Sequence, residues 1–157
     1  MTKRQRGLAW NILAILLILI FIFGNSLLSG EESGEMSASV LDFLDPALRP
    51  IGELISPEPV TEDQLHHAVR KLAHFTEFAC LGFFSALLLW QCLSTLRTPY
   101  FGYLLFGTLM SAVCDEFLQS FTGRGPSVRD VMLDFSGALT GILLLWLLTE
   151  LIRKHKS

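Results

Sequence analysis

Charge is scarce in this chain: 17% of its 157 residues are charged, against ~25% in an average soluble domain. The shortage leaves long uncharged runs, and these exclude an ordinary soluble globule. Positive charge is the scarcer sign, 12 Lys and Arg against 15 Asp and Glu. No basic stripe interleaved with aromatics is present either, which excludes a general nucleic-acid binder. Cysteine is limited to Cys80, Cys92 and Cys114, all inside apolar runs. An odd number without metal-site spacing excludes a disulfide framework, so the three are expected to serve as small hydrophobes. Internal repeats and low-complexity tracts are also missing.

What is present is apolar sequence, 51% of the residues. A membrane-crossing helix needs about 20 mostly apolar residues to span a ~30 Å hydrocarbon core. Four runs meet that requirement, at about 8–28, 72–93, 100–121 and 131–151. The first carries only Asn11, Asn25 and Ser26 as clearly polar side chains, whereas the others contain His74 and Glu77, Asp115 and Glu116, and Asp134. The expected fold is an all-α integral membrane protein, one domain of four transmembrane helices with a long outer loop, 29–61, after the first. Lys3, Arg4 and Arg6 precede the first run as they would in a signal peptide. Its apolar stretch exceeds the 7–15 residues of a signal core and no A-x-A site follows, so a retained span is expected.

Lys and Arg in the short loops set the orientation. Lys3, Arg4, Arg6, Arg97, Arg153, Lys154 and Lys156 fall on one side, and Arg49, Arg70, Lys71, Arg124 and Arg129 on the other. Seven against five predicts that both termini are cytoplasmic. Trp10, Trp90, Tyr100 and Trp146 then sit near cytoplasmic ends as interfacial anchors. In the outer loop, Val40, Phe43, Leu44, Ala47 and Leu48 repeat as one face of a short helix on the membrane surface, although Pro46 interrupts it. Thr61 with Gln64 forms a capping-box pattern, which starts the second helix near Glu62, outside the bilayer.

The ionisable residues gather at the outer ends of the last three spans. His67, Arg70, Lys71, His74 and Glu77 fall within an arc of about 120° on one helix face. Asp115, Glu116 and Gln119 share about 100° on the third span, and the small residues Gly107 and Ser111 continue their stripe as expected points of close helix approach. Asp130 and Asp134 are i, i+4, and their stripe runs on into Gly137-x-x-x-Gly141, a small-residue packing motif that turns the aspartates toward other helices. The link between these spans carries Arg124 and Arg129 in a tight Gly123, Gly125, Pro126 turn. A charge at bilayer depth costs ~2.5–3.5 kcal/mol even on the lenient insertion scale, so these groups are expected to converge and pair.

The same residues carry a family resemblance. Lys71-x-x-His74-Phe75-x-Glu77-Phe78-x-x-Leu81-Gly82 resembles the first signature of the VanZ-like family. Asp115-Glu116-x-x-Gln119-x-Phe121, Gly123-Arg124-Gly125-Pro126-Ser127, Arg129-Asp130-Val131 and Asp134-x-x-Gly137-Ala138 follow in that family's order, and the polar exit from the first span, Asn25-Ser26 onward, is similar too. Leu118 departs from the pattern, since many members have His before the Gln, and Asp134 stands where others often have Asn. The resemblance implies a bacterial membrane protein of the cell envelope, in a family named for teicoplanin (glycopeptide) resistance. It supplies no mechanism.

Three readings of the cluster stay open. A salt-bridge network could simply lock three helix ends together. Alternatively, Arg70, Lys71, Arg124 and Arg129 would bind an anionic headgroup at the outer leaflet, oriented by Glu77, Asp115, Glu116 and Asp134, with His74, Gln119 and Asp130 in the same pocket. The expected ligands are membrane lipids, a lipid-linked cell-wall intermediate or a lipoglycopeptide, with no cofactor and no resident metal. The third reading is hydrolysis of a lipid phosphate, with His74, Glu77, Asp115 and Glu116 as acid/base or metal-ligating candidates. The apolar inner parts around Leu87–Trp90 and Ile142–Leu148 offer no polar path, which argues against a transporter.

Overall fold

Polar caps decide where the helices start. In α1 (Lys3–Ser26), the Thr2 side chain accepts from the Gln5 amide at 3.2 Å and Gln5 Oε1 accepts from the Thr2 amide at 2.8 Å. In α2 (Glu62–Leu93), Thr61 and Gln64 make the same reciprocal pair at 3.3 and 3.0 Å. Helix α3 (Phe101–Gln119) tightens into a 3-10 turn, Ser120–Thr122. Gly123 ends it at φ 77°, in the left-handed region that a residue without Cβ enters without strain. Helix α4 (Val128–His155) completes the chain. The structure, a computed structural model, describes residues 1–28, 61–123 and 125–155, together with positions 38, 40, 46 and 50. Phe43, Leu44, Ala47 and Leu48 of the expected surface helix lie outside the described residues, as do Arg49, Arg124 and Lys156.

All four helices are long and apolar enough to cross a membrane, and no strand occurs among the described residues. The chain is a multi-pass, all-helical membrane protein. Three of the four helices reach beyond the apolar runs, because hydropathy marks the hydrocarbon-embedded part while caps mark the ends. With 32 residues, α2 is about 48 Å long, well beyond a ~30 Å hydrocarbon core. The excess falls in its less apolar first three turns, which carry His67, Arg70 and Lys71.

The opposite end is tied by cations. Arg4 donates to the carbonyls of Gln91 and Cys92 at 3.1 and 3.3 Å, filling acceptors that the end of α2 leaves without helical partners. Asn11 donates to Gln91 Oε1 at 3.4 Å, Arg97 lies 4.0 Å from Glu150, and Arg153 reaches the same carboxylate. The start of α1, the α2–α3 link and the end of α4 thus share one face. The acidic cluster occupies the other.

Small residues set the tightest contact. Helices α2 and α4 run side by side in the same direction, and a Cβ at Gly82, Gly137 or Gly141 would collide with the backbone carbonyl of Ala138, Phe75 or Ala79 respectively. Gly107 behaves differently from expectation: it meets nothing and faces an apolar groove of about 580 Å³ between α1, α2 and α3. Only a facing backbone makes a glycine a packing residue, and α3 has none opposite that turn. Phe78, Leu81, Ala112, Ala138 and Ile22 form the apolar core near the acidic end. Most large apolar side chains, Leu16, Phe106 and Leu143 among them, point outward, as do Cys80, Cys92 and Cys114. The cysteines are thus small hydrophobes on the lipid side rather than in the core.

Gly141→Ala is expected to destabilise the protein in detergent micelles by ~1–3 kcal/mol or more, because a backbone has to move to admit the methyl. Gly107→Ala, with open space before it, should be neutral or stabilising by up to ~1 kcal/mol. Thermal melts of the two variants make the comparison.

Candidate functional site

Polar side chains fill the interior where apolar ones would fill a soluble core. Asp115 is 0% exposed, Asp134 1% and Glu116 4%, and Gln119 and Ser26 are buried with them. Residues 115, 116 and 119 lie on the inward face of α3, so the helical spacing that groups them also buries them. The stripe of Asp134, Gly137 and Gly141 on α4 is buried against α2, which carries Asp134 into the bundle.

Asp115 is the most connected group. Ser26 Oγ donates to its Oδ1, Gln119 Nε2 donates to Oδ2 at 2.8 Å, and His74 Nδ1 lies 3.6 Å from Oδ2. One carboxylate thereby links α1, α2 and α3. Glu77 turns away from this group toward α1, where Asn25 Nδ2 donates to Oε1 at 3.1 Å. Glu116 accepts from the Ser127 amide at 2.6 Å and so fixes the turn between α3 and α4. Nearer the surface Lys71 Nζ pairs with Asp130 at 2.9 Å, both about one-third exposed, and Arg70 Nη2 sits 3.0 Å from His67 Nδ1.

A cavity of about 360 Å³ opens at this end of the bundle. Arg70, Lys71 and Asp130 stand toward its solvent side and His74, Glu116, Gln119 and Asp134 line it more deeply. Asp134 Oδ1 is buried without a hydrogen-bond partner among the described residues. Of the residues singled out in the sequence, Arg70, Lys71, His74, Glu116, Gln119, Asp130 and Asp134 share the cavity, and Asp115 lies behind His74. Arg129 is exposed on the outside of α4 and does not line it. Arg124 lies outside the described residues.

Two features differ from the sequence reading. Helix α1 supplies Asn25 and Ser26, so four helices build the site rather than three. The available signal was an amide and a hydroxyl side by side at the end of an otherwise apolar span. Secondly, His74, Glu77, Asp115 and Glu116 do not form one ligand set, because Glu77 points to α1. The three that converge are His74, Asp115 and Asp134, with one candidate ligand atom from each lying within 4.8 Å of the others.

Asp115→Ala should cost ~1–3 kcal/mol for each buried donor it strands, Ser26 and Gln119 among them. Arg129→Ala, at an exposed position, should stay within ~0.5 kcal/mol of wild type. Denaturant titration in mixed micelles distinguishes the two.

Comparison with known proteins adds one finding. The family model described as VanZ/LLP1 matches residues 11–149, a stretch that contains every residue of the cavity. No curated protein and no solved structure matches the chain.

Proposed function

The chain belongs to the VanZ/LLP1 family, and on that premise we propose that it binds an anionic headgroup, of a lipid or a lipoglycopeptide, in the cavity between α2, α3 and α4. The observation that carries this reading is the position of Arg70 and Lys71. Both line a polar cavity on the part of α2 that overruns the hydrocarbon core. Guanidinium and ammonium groups at that depth meet phosphates rather than acyl chains, and Arg offers a forked match to their oxygens. The acids serve the cations: Asp130 holds Lys71 in place. The Lys and Arg bias supports a cytoplasmic-membrane protein with both termini inside and the cavity facing outward. In that position, holding a lipid-linked cell-wall intermediate or the drug itself would contribute to teicoplanin-type resistance in a bacterial envelope.

Hydrolysis of a lipid-linked phosphate is the second reading. It is favoured by His74, whose imidazole beside the buried Asp115 has the arrangement of an oriented general base. Phosphate release that is lost in His74→Gln would move the protein into this class.

Arg70→Ala and Lys71→Ala are each expected to weaken binding of undecaprenyl phosphate or teicoplanin in nanodiscs about tenfold or more, since a charge-assisted hydrogen bond is worth ~1.5–3 kcal/mol. Equal affinities in wild type and both variants, with folding intact, would overturn the headgroup reading.

A further inference from the structure

We propose that the end of the bundle opposite the acidic cavity carries a second binding site, for the phosphodiester headgroup of an anionic membrane lipid, built by Arg97 and Arg153 between the indoles of Trp90 and Trp146. It goes beyond the headgroup cavity proposed above and shares no residue with it. These four side chains line a cavity of about 250 Å³ where the α2–α3 link meets the last turns of α4, and Glu150 stands between the two arginines. Arg153 Nη2 lies 2.5 Å from Glu150 Oε2, and Arg97 Nη2 lies 4.0 Å from Oε1. The arginine side chains remain 73% and 67% exposed, for Arg97 and Arg153 respectively, while that of Glu150 is 23% exposed. The acid is thus tucked beneath the two cations.

One carboxylate does not saturate two guanidiniums. Each guanidinium carries five N–H donors in a rigid fork, and Glu150 faces one nitrogen of each. Two cations against one anion leave a net positive charge, which a singly charged phosphodiester matches, and the free fork edges suit its unesterified oxygens. Glu150 acts as a positioning residue that sets the arginines side by side. The carbonyl ends of α2 and α4 lie at this end of the bundle and repel an anion, so the arginines have to supply the attraction. Position selects a lipid over a soluble phosphate. Along α4, Leu144, Leu147, Leu148 and Leu151 are exposed, and Arg153, Lys154 and His155 follow in the last turn. Exposed leucines belong in hydrocarbon and a basic turn in water, so the cavity lies at the boundary, where Trp is enriched and basic pockets meet anionic headgroups. Ile152 lines the cavity and is 51% exposed, which continues its wall onto the apolar surface that acyl chains cover.

The test titrates full-length protein in detergent with phosphatidylglycerol, or with zwitterionic phosphatidylcholine, and counts retained lipids per chain by native mass spectrometry. Counting is done in Arg70→Ala/Lys71→Ala protein, which disables the cavity at the acidic end. One phosphatidylglycerol per chain is expected to remain, held about tenfold or more tighter than phosphatidylcholine. Adding Arg97→Gln and Arg153→Gln should weaken it about tenfold or more, whereas Lys154→Gln, which removes an exposed charge outside the cavity, should change it less than about twofold. Circular dichroism checks that the variants stay helical. Should the combined variant unfold, Arg97→Gln alone, in the exposed link, makes the same comparison with Lys154→Gln. Equal retention of the two lipids, equal weakening by Lys154→Gln, or displacement by an equal concentration of glycerophosphoglycerol, the soluble headgroup, would overturn the proposal. Loss of all phosphatidylglycerol in Arg70→Ala/Lys71→Ala alone would overturn it too and leave the acidic-end reading standing. Retention there, with undecaprenyl phosphate bound as in wild type, would overturn the acidic-end reading and leave this site.

Discussion

A carboxylate buried to 0% exposure holds the acidic end of this bundle together. Asp115 takes hydrogen bonds from Ser26 and Gln119 and stands beside His74, so α1, α2 and α3 all answer to one side chain. Among apolar helices in lipid, dispersion alone discriminates poorly between one rotation and another. A polar group that must find partners discriminates strongly, because the alternative is an unsatisfied charge at bilayer depth. Glu116 performs a similar service for the α3–α4 turn through the Ser127 amide, and Glu77 adds a second tie to α1 through Asn25.

The remaining constraint is steric. Gly82, Gly137 and Gly141 let α2 and α4 approach until backbone touches backbone. That close approach determines what the ends can do. Lys71 lies one turn before Phe75, the residue Gly137 packs against, and so reaches Asp130 near the start of α4. Asp134, one turn further along, is driven into the interior opposite His74 and Asp115. The same packing that gives the bundle its tightest seam thus places an acid where no described side chain neutralises it. At the other face the logic is simpler. Arg4, Arg97 and Arg153 cover helix ends and Glu150, and no buried acid accumulates there.

Much of this was visible in the chain. A four-span architecture follows from four apolar runs of sufficient length, and the start of α2 follows from Thr61 and Gln64. The grouping of acids on one face of α3 follows from helical spacing. Other features carried ambiguous signals. Asn25 and Ser26 could end a span, or mark a processing site, without touching anything. Gly107 had the same small-residue appearance as Gly141, yet one faces open space and the other faces Ala79. Glu77 shared the arc of His74 but lies far enough round α2 to meet α1 instead.

The sequence by itself determined the class of molecule, the number of helices and the end of the bundle at which charge collects. Those properties depend on local composition and on a fixed period of ~3.6 residues per turn, both of which a linear string records. Only the tertiary structure decided which polar groups meet: Asp115 with Ser26, Lys71 with Asp130, and His74 with Asp115 and Asp134. It decided too that Arg129 stands outside the cavity. Partner choice depends on how four helices rotate and approach one another. That is fixed by backbone contact at three glycines and by buried polar groups that have few partners available.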